Sequence, residues 1–340
     1  MRLFIHRHLI LTSFILLIPA PHPAFPEPSG STHNPSTINF FVLSHTGLNN
    51  GNYIWTGTDD SITIPLRRAG RIFLIEAEVD GEKGYLVFDT GASGLVLNKT
   101  YFRDHVVLDN QKSNGVTGAV ASVERIAVNQ LEIYGLKYQG IIADVTNLGH
   151  IENRRGVKIL GLIGFGLISD FEIIFNPGQN QLQLFKIDKK GERERLSAGR
   201  FIPDYTCNFE YKNNILFLRT TIKGKRLRLC FDTGAETNVI DRYAPKSVLN
   251  CIAITHRSTL SGAGSRTAEV LFGSMNGFQF GKKSLSNMET IITNLDVLSE
   301  AYDTKIDGML GYSFLSKGII CINFVKKEFS ISYLQEATEE

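Results

Sequence analysis

The residues best suited to chemistry in this chain are two acids that each close an apolar run. Asp89 ends Leu86-Val87-Phe88 and opens Thr90-Gly91-Ala92-Ser93, and Asp232 ends Leu229-Cys230-Phe231 and opens Thr233-Gly234-Ala235-Glu236. Burying an ionised carboxylate without partners is strongly unfavourable, so an apolar strand that delivers an acid into a glycine turn calls for a purpose. Two such acids invite the idea that they meet, and carboxyl groups that meet share one proton, because like charges so close cannot both ionise.

The elements that must position these acids follow from a repeat. Sliding the chain by 143 positions (232 − 89) places Ile72-Phe73-Leu74-Ile75 on Ile215-Leu216-Phe217-Leu218 and Gly81 on Gly224. In each copy two apolar runs flank a turn, Asp80-Gly81-Glu82 or Lys223-Gly224-Lys225, which predicts a hairpin feeding the acid. Further on, an offset of 147 (311 − 164) places Leu160-Gly161-Leu162-Ile163-Gly164 on Asp307-Gly308-Met309-Leu310-Gly311 and holds through Leu184 on Ile331. Between the two blocks lie glycine-bearing segments, with Gly115 and Gly118 in the first copy and Gly262 and Gly264 in the second. Their shared place in the repeat makes them candidate flaps over a bound substrate; an ordinary surface hairpin is the alternative.

From Ile62 onward short strand-like runs alternate with Gly, Asn and Asp punctuation, so the expected class is all-β, with short helices only near Lys99 to His105 and Asp241 to Val248. The expected organisation is a signal peptide over 1–24, a leader, linker or propeptide over 25–61, a first lobe over 62–188, a linker over 189–200 and a second lobe over 201–335. The run Lys189 to Arg195 reads as a solvated connector.

These motifs resemble those of the aspartic peptidases, in the bacterial retropepsin-like form with two lobes fused in one chain as in pepsin-like enzymes. The resemblance spans roughly residues 62 to 335. It implies a bilobal acid-protease fold of two β-barrel-like lobes, with Asp89 and Asp232 facing each other across a pseudo-twofold axis as the catalytic pair. It implies that Thr90 and Thr233 brace the acid loops, that Gly91 and Gly234 let backbone N–H groups approach the carboxylates, and that the two Gly-apolar-apolar-Gly blocks pack beneath those loops. Ser93 fits the common form; the second copy has Glu236 instead. Retroviral-type enzymes carry an acid there that helps hold substrate backbone, so Glu236 reads either as a substrate-side residue or as a surface-pairing acid. No tyrosine lies between Ser113 and Glu124, which favours retropepsin-like flaps over a pepsin-like one. Asp307, opposite Leu160 in the repeat, reads as an exposed strand-edge residue.

Composition narrows the classes. A net charge of +2 in 340 residues, without a basic-aromatic stripe, argues against nucleic-acid binding. Arg2 and Arg7 precede the apolar run Leu9 to Ile18, which reads as an export signal too short to span a bilayer; neither Ala20 nor Ala24 completes an A-x-A-like cleavage site, so an uncleaved anchor is the alternative. After it no apolar run approaches membrane-helix length, so no stable membrane insertion is expected once the signal is cleaved. Cys207, Cys230, Cys251 and Cys321 show no C-x-x-C spacing and the eight histidines no ligand spacing, so no metal and no organic cofactor are expected. Cys230 reads as a small buried hydrophobe. The sum is an exported aspartic endopeptidase, periplasmic or secreted, monomeric because both copies share one chain, acting on peptide or protein substrates. Its alternative is a non-catalytic peptide-binding protein that keeps the fold.

Overall fold

The computed structural model describes residues 52–57, 59–92, 94–115, 118–193, 201–212, 214–261, 267–301 and 304–334. The export segment and most of the leader lie outside them, as do Ser93, Gly262 and Gly264. The protein is mostly β and bilobal, each copy of the repeat folding as one barrel-like lobe.

In the first lobe the hairpin of Ile72–Val79 and Glu82–Phe88 forms because every second residue is apolar enough to face a core and the Asp80-Gly81 corner takes positive φ at both positions. Glu82–Phe88 then pairs in parallel with Ile159–Ile163, which pairs with Leu95–Asn98 and onward through Leu136–Thr146 and Gly118–Ile133 back to Ile72–Val79. This ring of strands is a closed barrel, which leaves no edge among its members.

The second lobe repeats this path register for register. Leu74 faces Val87 and Phe217 faces Cys230; Leu162 faces Val87 and Met309 faces Cys230; Leu95 faces Ala143 and Asn238 faces Thr290. Each pair is related by the 143 or 147 offset, so the four extra residues enter after Asn98 and before Ala143, in the segment holding the hairpin of Val107–Gly115 and Gly118–Ile133. The second ring stays open. The counterparts of the two long strands are interrupted at Gly277 (φ 73°) and Asn287 (φ 55°), so Thr267–Met275 and Phe278–Phe280, like Lys283–Leu285 and Met288–Thr293, are separate strands.

A third sheet joins the lobes, in the order Tyr205–Asn208, Glu328–Tyr333, Gly318–Asn323, Phe171–Asn176, Gln181–Lys186, Ser61–Pro65. At its centre Ile174 faces Cys321, its own equivalent at offset 147 (321 − 174), so the pseudo-twofold axis passes through that rung. One apolar core runs through both lobes, with Phe165 stacked on Phe231 at 6.4 Å and meeting Phe324 edge-on at 4.9 Å.

Several expectations change. Residues 99–105 form turns, because Asn98 Oδ1 accepts the Thr100 N–H and Phe102 drops into the core. The second expected helix is shorter and later, Lys246–Leu249, beginning just after Pro245, whose carbonyl accepts the Val248 N–H at 2.8 Å. Helices not anticipated occur at Gly149–Arg155, Asp296–Ala301 and Tyr312–Leu315. Strand Asn52–Trp55, assigned to the leader, pairs with Leu136–Thr146 and sets Trp55 against Phe171. Within the expected linker, Arg193 is no solvated residue: its side chain is 10% exposed, pairs with Glu172 at 2.6 Å and lies over the Phe185 ring.

Candidate active site

Asp89 and Asp232 sit just past the ends of equivalent strands, where the parallel strand of the second block catches their backbone: Asp89 donates its N–H to Ile163 O at 2.9 Å and Asp232 to Leu310 O at 3.0 Å. Both side chains are buried, at 0% and 1% exposure. Gly91 N–H donates to Asp89 Oδ1 at 3.0 Å and Gly234 N–H to Asp232 Oδ1 at 2.8 Å, so each turn solvates its own carboxylate with its backbone.

Each glycine also lies against the opposite acid. A Cβ built on Gly91 would stand 2.8 Å from Asp232 Oδ2, and one on Gly234 would stand 2.6 Å from Cγ of Asp89. Only glycine fits where each acid loop approaches the opposite carboxylate so closely.

The threonines hold this arrangement by a reciprocal set of bonds. Thr90 Oγ1 donates to Phe231 O at 3.0 Å and accepts the Thr233 N–H at 3.0 Å; Thr233 Oγ1 donates to Phe88 O at 2.7 Å and accepts the Thr90 N–H at 3.0 Å. All four bonds are buried and cross between lobes. Thr90→Val keeps the shape but leaves the Thr233 N–H and Phe231 O without that partner. A loss of about 3 kcal/mol is expected, from ~1 kcal/mol per hydrogen bond and the larger cost of buried groups left unsatisfied. Urea denaturation checks it, and a change below about 0.5 kcal/mol would show the bonds to be incidental.

The glycine blocks lie beneath the loops as expected: a side chain on Gly164 would run into Ala92 O, and one on Gly311 into Thr237 O. Of the candidate flap residues, Gly115 and Gly118 form the last rung of the hairpin Val107–Gly115 and Gly118–Ile133, and the first strand of that hairpin reaches helix Asp296–Ala301 of the second lobe.

Glu236 is not a surface acid. It is 5% exposed and forms an ion pair with Arg155, at the end of helix Gly149–Arg155 in the other lobe. Burial pushes the Arg155 pKa down to about 10, so the guanidinium remains charged at neutral pH. Beside it Arg71 donates to Glu289 Oε1 at 2.7 Å and to Glu236 O at 3.4 Å, and Arg68 donates to Tyr312 Oη at 2.6 Å. The Glu289 bond raises the Arg71 pKa, and the Arg71 bond lowers that of Glu289. These first-lobe arginines grip the second lobe, and no sequence signal marked them, since Arg71 falls on Asn214 in the repeat.

One missed pair was legible. Asn98 and Asp241, equivalent at offset 143 (241 − 98), each end a strand in the core and accept an N–H from the segment leading into a short helix: Leu148 at 3.2 Å and Leu295 at 3.3 Å. Asp241 can titrate where Asn98 cannot, and burial raises its pKa. An acid whose folded pKa is raised costs stability as pH climbs from its usual 3.8 through the raised value. Asp241→Asn should therefore flatten that fall and be at least as stable as the parent at neutral pH, which thermal melts from acid to neutral pH test. Asp307, expected at an exposed edge, is part-buried, its side chain 19% exposed, and accepts the Arg228 N–H at 2.9 Å. Cys230 is 2% exposed with its thiol pKa pushed well up by burial, as a small buried hydrophobe would be.

The model of the aspartyl protease family matches the chain twice, over residues 75–167 and 218–314, together more than half its length. The two matched segments start 143 positions apart (218 − 75) and end 147 apart (314 − 167), the same offsets that relate the two lobes. No curated protein matches the chain.

Proposed function

The chain belongs to the aspartyl protease family, and on that premise we propose that it is an exported endopeptidase in which Asp89 and Asp232 act as one catalytic dyad. The observation that carries this reading is the mutual approach of the acid loops, each glycine against the opposite carboxylate. One carboxylate takes a proton from a water molecule as that oxygen attacks the peptide carbonyl carbon. The other, protonated, donates to the carbonyl oxygen; on collapse the carboxyl that holds the water's proton gives it to the nitrogen, the C–N bond breaks, and the other carboxylate takes back a proton from a hydroxyl of the tetrahedral species. The Gly91 and Gly234 N–H groups hold each acid by Oδ1, and the threonine bonds keep the two loops in register.

Substrate lies extended between the lobes, bonded through its main chain in the manner of an added strand. The chain works as a monomer, since one chain supplies both acids. Among the described residues no helix is long and apolar enough to cross a membrane, and the apolar run Leu9 to Ile18 supports export. Buried, facing carboxylates are a costly feature for a protein that only binds peptides, which disfavours the non-catalytic reading.

Incubation of the purified chain with a mixed peptide library from acid to neutral pH, read by mass spectrometry, should give cuts at discrete bonds that a statine-type inhibitor blocks. Uncut peptides across the whole range, with no statine binding, would overturn the proposal in favour of a binding protein.

A further inference from the structure

The peptide group that joins Leu310 to Gly311 lies beneath the second acid loop and is held from both sides. Its carbonyl accepts the Asp232 N–H at 3.0 Å, and its N–H donates to Asn238 Oδ1 at 2.9 Å. The first lobe holds the equivalent group, between Ile163 and Gly164, by backbone alone: Asp89 donates to Ile163 O and Gly164 donates to Gly94 O, both at 2.9 Å. At the place of Gly94 the second lobe has Thr237 (94 + 143), whose hydroxyl donates to Glu289 O at 2.8 Å. The acceptor for Gly311 comes instead from the next side chain.

Asn238 stands where the first lobe has Leu95 (238 − 143), and the two are 0% and 2% exposed. A buried amide in an apolar place is costly, the more so because among the described residues its Nδ2 has no hydrogen-bond partner. An N–H can be met only by an acceptor, so the Gly311 bond fixes which end of the amide is the oxygen. That bond ends on the same peptide group that catches Asp232.

We infer that Asn238 is a positioning residue for Asp232, acting through the Leu310–Gly311 peptide. Clamped on both sides, this group is held against tilting; released on its N–H side, it can rotate and carry the Asp232 backbone with it. Gly311 lets the clamp close, since a Cβ there would stand 2.3 Å from Thr237 O. The clamp on Asp89 is backbone throughout, so only the second acid depends on a side chain in this way. The inference rests on the dyad reading, in which the place of Asp232 sets the rate.

Peptide hydrolysis by Asn238→Leu, which installs the first-lobe residue, tests it. The kcat should fall by roughly ten- to a hundredfold with KM unchanged, because a misplacement of about 1 Å can cost the larger factor and only the transition state feels it. Asn238→Asp keeps an oxygen in the place of Oδ1 and should restore most of kcat at acid pH, where a buried carboxyl is neutral. Leu95→Asn, the reverse exchange in the first lobe, should lower the urea midpoint yet leave kcat as in the parent. Circular dichroism verifies that each variant folds. An unchanged kcat in Asn238→Leu, a rise in KM alone, an Asn238→Asp variant as slow as Asn238→Leu, or an equal loss in Leu95→Asn would overturn the inference. If the parent cleaves nothing, the dyad reading fails by itself, and carbon NMR titration of the carboxyl groups still decides the positioning claim. The titration of Asp89 and Asp232 should move between the parent and Asn238→Leu, and superposable curves would overturn it.

Discussion

Asp89→Asn and Asp232→Asn will each slow peptide hydrolysis by about a thousandfold or more while leaving the fold intact, the upper part of the range for removing a general acid or base. Asparagine keeps an oxygen where Oδ1 accepts the Gly91 or Gly234 N–H, so the loop geometry survives. An amide, however, can neither accept the water's proton nor share one with its neighbour. Since the two acids act as a unit, the double variant should be little slower than either single one; multiplicative losses would mean independent roles. Cleavage rates on one peptide for the three variants, with melts to verify folding, decide it. Retention of most activity by either single variant would rule out a shared dyad.

The second large effect is structural. Glu236→Gln should destabilise the protein by about 3–5 kcal/mol, because it strips the partner from a buried guanidinium. The side chains of Arg155 and Glu236 are 11% and 6% exposed, so little water is at hand to replace the lost charge. Replacing both together, Arg155→Met with Glu236→Leu, should recover most of that loss, since a buried pair exchanged for packed apolar groups is often neutral or better. Urea denaturation of the two single variants and the double variant gives the coupling directly. A Glu236→Gln cost below about 1 kcal/mol would show that the pair is not desolvated in solution. By contrast Arg71 and Glu289, 35% and 54% exposed, face water, and their pair should contribute far less.

The pairing also bears on the surface reading of Glu236, which a buried acid does not fit. An acid held by Arg155, with its backbone oxygen reached by Arg71, fastens the second acid loop to the first lobe. In the other acid loop the corresponding residue is Ser93, whose uncharged side chain cannot form such an ion pair.

What the sequence by itself determined is whatever depends on neighbours along the chain. The acid-bearing strands, the hairpins at Gly81 and Gly224 and the two offsets are set by period-two apolarity and turn chemistry, which act within a few residues. Duplication then made the approach of the two acid loops to each other legible, because two copies of one unit pack most simply about a twofold axis. The helices at Gly149–Arg155 and Asp296–Ala301 were not legible, since each is short and is anchored by a distant side chain, Asn98 or Asp241. Only the tertiary structure decided the environment of Glu236. Its partner lies 81 positions away (236 − 155) in the other lobe, and whether an acid is buried and paired or solvated depends on which charges the folded lobes bring beside it, a quantity no local pattern encodes.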